Sequence, residues 1–274
     1  MDAEQALREG NIDAALKDLQ SQIRKAPADP KLRVFLFQLL AVLGQWNKAL
    51  NQLNVAAELD AAILAMVGTY RDALPAEVLR SSIFAGKRDP LVFGEPQQWI
   101  AQLVEALRVA GLGQSEQSDA LRSDALELAP VTSGQIDGEP FAWIADADTR
   151  LGPVLEAVLN GRYIWLPFQH MHSIRFEAPA DLRDLVWAPA QITWANGGES
   201  VALIPARYPD SETNADARIR LSRRTEWEER SATLLVGLGQ RMLATDRGEY
   251  PLLGIREVRL DTQTEADPGT NSDG

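Results

Sequence analysis

The chain contains no cysteine. Thiolate nucleophiles, disulfide frameworks and the commonest structural zinc sites are excluded together. Histidine is nearly as scarce, with 2 in 274 residues, both in the string His170-Met-His172. Positive charge is thin as well: 27 Lys and Arg stand against 39 Asp and Glu, for a formal net charge of -12. No basic run exceeds two adjacent residues. A phosphate backbone calls for a Lys/Arg stripe, so nucleic acid is not expected as a partner. Long apolar runs are missing too, since charges interrupt each one well short of the roughly 18 residues of a membrane-spanning helix. The N-terminus, MDAEQALREGNIDAAL, is acidic and amphipathic, without a basic segment leading into an apolar one. A cytoplasmic protein with no membrane partner is expected.

What is present is enough to fold. An apolar fraction of 45% supplies a core, and a chain of this length accommodates two ordinary domains. Ile12, Ala15, Leu16, Leu19 and Ile23 share one helical stripe. Leu32, Phe35, Leu36, Leu39, Leu40 and Leu43 form a second, and Trp46, Ala49, Leu50 and Leu53 begin a third. The string from Gly10 to Leu16 (GNIDAAL) recurs as Gly44 to Leu50 (GQWNKAL), 34 residues later. That is the period of the tetratricopeptide repeat. Each glycine permits a tight turn, and the small Ala15 and Ala49 let paired helices approach closely. Pro27 and Pro30 fall where such a unit ends. No third copy occurs near position 78, and a generic bundle of helical hairpins is the alternative. Stacked repeats leave a concave surface that takes a partner's helix or peptide. Beyond them, Val78 to Ala85 closes the array and 86–97 reads as a loop. Helices follow from Trp99 to Ala110 and over 114–129, and Pro130 to Gly138 is the candidate junction.

The second half reads mainly as strands. Phe141 to Ile144 is the first. Asp148 looks like the N-cap of a helix carrying Leu151, Val154, Leu155, Val158 and Leu159, with Gly161 closing it. Strands are expected over Tyr163–Phe168 and Ser173–Phe176. Two more, Gln191–Ala195 and Glu199–Ile204, flank the hairpin signal Asn196-Gly197-Gly198. Ile219 and Leu221 alternate with Arg218 and Arg220 like a half-buried strand, and Leu252–Leu260 supplies the last. The expected class is α+β. A helical, tetratricopeptide-like domain covers 1–130, and a strand-rich domain with an antiparallel sheet or small barrel covers 131–260. Residues 261–274 are expected to form a disordered acidic tail.

No arrangement marks catalysis. His170 and His172, as alternate strand residues, could share an ion with Glu177, Asp181 or Asp184, which would suit a metal-dependent hydrolase. With no further His and no Cys, two polar residues at a strand edge are the preferred reading, and neither metal nor cofactor is expected. Gly237-Leu-Gly-Gln-Arg241 lacks the third glycine of a dinucleotide loop and the Lys-Ser/Thr of a P-loop, so a turn is expected there. No Gly-x-Ser-x-Gly elbow occurs. Glu228 and Glu229 face opposite sides of a strand and do not share a reaction centre. Arg207-Tyr208-Pro209, Trp227 and Arg241 combine residue types that anchor interfaces, and they suit internal carboxylate pairing equally well.

Several strings together resemble the ImpE family, also called TagJ or SciE. They are Phe84-Ala-Gly86, Val92-Phe-Gly-Glu-Pro96 with Trp99, Gly161 to Phe168 (GRYIWLPF), Asp181 to Trp187 (DLRDLVW), Pro205 to Pro209 (PARYP), Thr225-Glu-Trp227 and Gly239-Gln-Arg241. The resemblance implies a non-enzymatic accessory protein of bacterial type VI secretion, with a repeat-like helical part and an α+β remainder. It further implies binding to an N-terminal helix of the small contractile-sheath subunit (TssB type). Through that contact it implies a link to sheath assembly or to recycling by a ClpV-type unfoldase. The family brings no catalytic motif. Candidate contact residues for the partner are Trp46, Tyr70, Phe93, Trp99, Arg207, Tyr208, Trp227 and Arg241. A structural scaffold with another partner is the remaining alternative.

Overall fold

Asp2, Asn11 and Asp29 each turn a side-chain oxygen onto a backbone N–H, and these caps open α1 (Ala3–Arg8), α2 (Ile12–Lys25) and α3 (Pro30–Val42). The computed structural model describes residues 2–95 and 97–262. Two more helices, α4 (Trp46–Leu59) and the longer α5 (Leu64–Phe84), complete the first run. Gly10 and Gly44 both lie in the left-handed region, with φ of 78° and 65°. Gly10 N–H donates to Leu7 O and Asn11 N–H to Ala6 O; 34 residues on, Gly44 N–H donates to Ala41 O and Gln45 N–H to Leu40 O. The repeated string thus makes the same helix-ending turn twice, and Ala15 and Ala49 are fully buried behind it. A third hairpin with this turn lies further along than the spacing predicts. It joins α6 (Gln98–Gly111) to α7 (Ser115–Leu128) through Gly113, whose φ is 79°. Ser118 takes the place of the buried alanines there, and its hydroxyl donates to Ala106 O at 2.9 Å.

A two-residue strand, β1 (Leu91–Val92), precedes α6. After α7 come β2 (Gly134–Ile136), β3 (Glu139–Phe141), β4 (Ile144–Asp146), β5 (Val154–Leu159), β6 (Arg162–Pro167), β7 (Met171–Phe176), β8 (Trp187–Trp194) and β9 (Glu199–Pro205). A one-turn helix, α8 (Ala217–Arg220), leads into β10 (Thr225–Glu229), β11 (Leu235–Gly239), β12 (Met242–Thr245), β13 (Gly248–Pro251) and β14 (Glu257–Leu260). Among the described residues, nine strands form one sheet in the order β1-β6-β5-β9-β8-β7-β14-β2-β3, antiparallel except where β1 runs beside β6. The class is α+β, and the sheet is open rather than closed into a barrel. Helices cover one face, where Phe37, Tyr70, Ile83 and Leu103 share a core with Tyr163, Trp165 and Trp187. The alternate residues Leu155, Leu166, Ile174, Ile192 and Ile204 form a second core with Leu243 and Val258. Among the described residues, no helix is long and apolar enough to cross a membrane.

Several segments differ from the sequence-based expectation. The helix expected from Asp148 to Gly161 is instead a short loop and β5, every residue of which is buried. A strand covered on both faces is apolar at consecutive positions, and such a run also satisfies a helical stripe. Ile219 belongs to α8, which Asp216 opens by accepting the Arg218 N–H at 2.8 Å, and not to a strand. Gly237 and Gly239, expected in a turn, lie within β11. Phe141 and Ile144 fall in two strands, and residues 252–254 make a 3-10 turn before β14. Of the expected acidic tail, residues 263–274 lie outside the described residues.

Candidate functional site

Glu156, in the middle of β5, is the centre of a buried charge cluster between α5 and the sheet. Arg80 of α5 donates to both of its carboxylate oxygens, at 2.6 and 2.9 Å, and to Arg207 O at 2.9 Å. Arg241, just before β12, bridges Glu156 and Asp146. The Tyr163 hydroxyl donates to Glu156 and accepts from Trp165 Nε1 at 2.9 Å. Burial alone would raise the Glu156 carboxyl, but the flanking guanidiniums of Arg80 and Arg241 bring it down to about 2. Asp146 goes the other way: burial pushes it up to about 7, against the pull of Arg241. The Tyr208 hydroxyl donates to Asp146 at 3.1 Å, and the Trp227 ring lies 5.5 Å from the Tyr208 ring. Arg207 donates to Ala41 O and Val42 O, at 2.9 and 2.8 Å, and to Arg220 O at 2.7 Å. Its guanidinium thereby caps the ends of both α3 and α8, where carbonyls lack helical partners and positive charge is favoured.

The other candidate contacts are scattered. Trp46 and Tyr70 meet at Trp187, with ring centroids 6.0 and 5.7 Å away. Burial pushes the Tyr70 hydroxyl up to about 12, although the Arg183 guanidinium lies 5.0 Å over its ring. Trp99 is buried along α6. Phe93 is half-buried, stacked on Trp194 at 4.2 Å with His170 edge-on at 5.9 Å. The structure therefore gathers Arg207, Tyr208, Trp227 and Arg241 into one cluster, pairs Trp46 with Tyr70, and leaves Phe93 and Trp99 apart. Tyr70, Trp99, Arg207, Tyr208 and Arg241 are interior side chains, so a partner lying on the folded surface does not reach them. Trp46, Phe93 and Trp227 are half-buried.

The two histidines do not form the strand-edge pair expected of them. His170 ends a 3-10 turn and packs on Phe93, and burial lowers its pKa. His172 is exposed on β7, where the register with β8 shifts between Met171 and Ser173. Among the described residues, no group of three His, Asp or Glu is placed to hold a metal ion.

An open groove lies elsewhere. It is bordered by α1 and α3, the leading helices of the first two hairpins, and by a 3-10 turn, Leu182–Leu185, between β7 and β8. Its volume is about 1020 Å³. Leu7, Leu32, Val34, Phe35, Ile63 and Leu182 supply apolar lining. Asp2, Glu4, Asp60 and Asp181 stand around it against Arg8 and Lys31. The turn is anchored by reciprocal capping between Asp181 and Asp184, and by Gln38, whose Oε1 accepts the Leu182 N–H at 3.1 Å. Sequence reasoning missed this site, although a signal existed. Helix α3 is apolar on nearly every side: Leu36, Phe37, Leu39 and Leu40 are buried, while Leu32, Val34 and Phe35 remain half-buried at the groove. A helix apolar all round is one with more than one face to cover.

Known proteins match this chain along most of its length. The ImpE protein family model matches residues 138–259. The type VI secretion system accessory component TagJ of Pseudomonas aeruginosa is 52% identical over 258 residues, covering 94% of this chain and 90% of that protein. A crystal structure of a Vibrio parahaemolyticus protein shares the fold with a TM-score of 0.87 at 24% identity, covering 95% of this chain and 98% of that one.

Proposed function

The chain belongs to the ImpE family, and from that premise we propose that it is a non-enzymatic accessory protein of type VI secretion which captures an N-terminal helix of the small sheath subunit. The likeness to the Pseudomonas type VI secretion accessory component supports the secretion role. The groove between α1, α3 and the Leu182–Leu185 turn carries the helix-capture part. A helix with its side chains is roughly 10–12 Å wide, and it enters such a groove by apolar anchors spaced i, i+3, i+4 and i+7. Leu7, Leu32 and Phe35 offer the apolar counter-surface. The acidic residues around it, on a chain of net charge -12, favour a helix flanked by Lys or Arg and repel acidic ones. The protein would act in the cytoplasm and hand sheath subunits toward assembly or toward a ClpV-type unfoldase.

Isothermal titration of the protein with a synthetic peptide of that sheath helix, from the same organism, tests the reading. One-to-one binding at micromolar strength or tighter is expected, weakening with salt and abolished by Phe35→Asp. Absence of binding at high peptide concentration, or undiminished binding by Phe35→Asp, removes it.

A further inference from the structure

The groove has one polar group set deep in its apolar wall. Gln38 projects from α3, lines the groove and is only 6% exposed. Because its Oε1 accepts the Leu182 N–H at 3.1 Å, the orientation of the carboxamide is fixed. The Nε2 end carries two N–H donors, and neither meets an acceptor among the described residues. While the groove is open, water satisfies those donors. Once an apolar helix face closes over them, the water leaves, and a stranded amide donor weakens binding about tenfold. An occupant that supplies an acceptor avoids that cost, and one that presents leucine at the same place does not.

Resting on the helix-capture reading above, we propose that Gln38 is a specificity-determining residue of the groove. Its Nε2 donates to a single acceptor side chain set in the otherwise apolar face of the bound helix. The acceptor is neutral, the amide oxygen of Asn or Gln or the hydroxyl of Ser or Thr. A carboxylate at that point would face Asp2, Glu4, Asp60 and Asp181. One carboxamide thus serves two purposes: Oε1 holds the turn that forms the third wall, and Nε2 reads the occupant.

The test is a scan of the sheath-helix peptide, each polar position replaced in turn by Leu, titrated against the full-length protein and against Gln38→Glu. Glu keeps an oxygen for the Leu182 N–H and removes the donors; the charge it adds beside Asp2, Glu4, Asp60 and Asp181 acts on every peptide alike, so the loss of the reading group shows in the dependence on peptide position. One peptide position should matter. Its replacement should weaken binding about tenfold to the wild type and add nothing against Gln38→Glu, which itself should bind the parent peptide about tenfold more weakly. Equal affinity of Gln38→Glu and wild type for the parent peptide overturns the inference and leaves helix capture standing. So does a wild-type scan in which no polar position matters, and that scan decides the question alone if Gln38→Glu does not fold. A parent peptide that fails to bind the wild type sinks helix capture itself.

Discussion

Charged side chains crowd the join between α5 and the sheet, whereas the groove beside α3 is walled mainly by aliphatic and aromatic carbon. Around Glu156 every guanidinium and carboxylate is buried and bonded to another part of the chain, with Arg80, Glu156, Arg207 and Arg241 all at 3% exposure or less. At the groove, Leu32, Val34 and Phe35 are only half-buried. Residues with the most reactive chemistry hold the fold together here, and the plainest ones line the open groove. The reason is physical. A buried charge whose partner is removed is costly, so such a cluster tolerates little alteration. An apolar groove releases water when filled, without prior bonds to break.

The sharpest way to break this contrast is Glu156→Gln. The change leaves Arg80 and Arg241 without their shared counter-charge, and a loss of about 3–5 kcal/mol is expected in urea unfolding. The acid limb should change with it. Glu156 titrates at about 2 in the fold against an ordinary 4.5, so the unfolded chain binds the extra proton between those values. Wild-type stability therefore falls as pH drops through that window, by about 3 kcal/mol from this group, and the variant should lack that contribution. Arg207→Met comes next. Val42 O and Arg220 O lose their side-chain donor, Ala41 O keeps the Gly44 N–H, and about 2–3 kcal/mol should go. Arg207→Lys should rescue little, because an ammonium cannot reproduce a planar fork that spans two helix ends.

Ala49→Leu should overpack the α3–α4 hairpin and cost about 1–3 kcal/mol, and an unchanged melting temperature would remove the close-packed repeat from that region. The smallest stability effect belongs to the groove. Phe35→Ala should lower stability by only about 1 kcal/mol, since the ring is only half-buried, while weakening the sheath-helix peptide more than tenfold. The reverse pattern, in which Phe35→Ala unfolds the chain or Glu156→Gln spares its stability, would undo the contrast.

Much of the helical part was legible because its signals are local. Gly10 and Gly44 are turns, and the stripes led by Ile12, Leu32 and Trp46 are helical, whatever the rest of the chain does. The hairpin at Asn196-Gly197-Gly198 was legible for the same reason. Segment 148–161 was not. Glu156 reads as the wet side of an amphipathic helix, and its partners Arg80 and Arg241 lie 76 and 85 residues away. The two helices of the third hairpin were legible, but its kinship to the repeat was hidden because Gly113 sits one residue beyond the 34-residue period and Ser118 replaces alanine. The candidate contacts Arg207, Tyr208 and Arg241 were chosen for their chemistry, which the fold uses internally. Of the groove, only the surplus apolar face of α3 was legible, and its location was not, since one of its walls is held by a bond between Gln38 and a residue 144 positions on.

The grip of Arg207 on the end of α3 also bears on how the molecule comes into being. Val42 O waits for a side chain 165 residues downstream, and at ribosomal rates of about 5–20 residues per second that gap is roughly 10–30 s. The leading helices leave the ribosome well before the pieces that finish them. A groove built this way is assembled late, and a nascent chain lacks its third wall until synthesis has passed the Leu182–Leu185 turn.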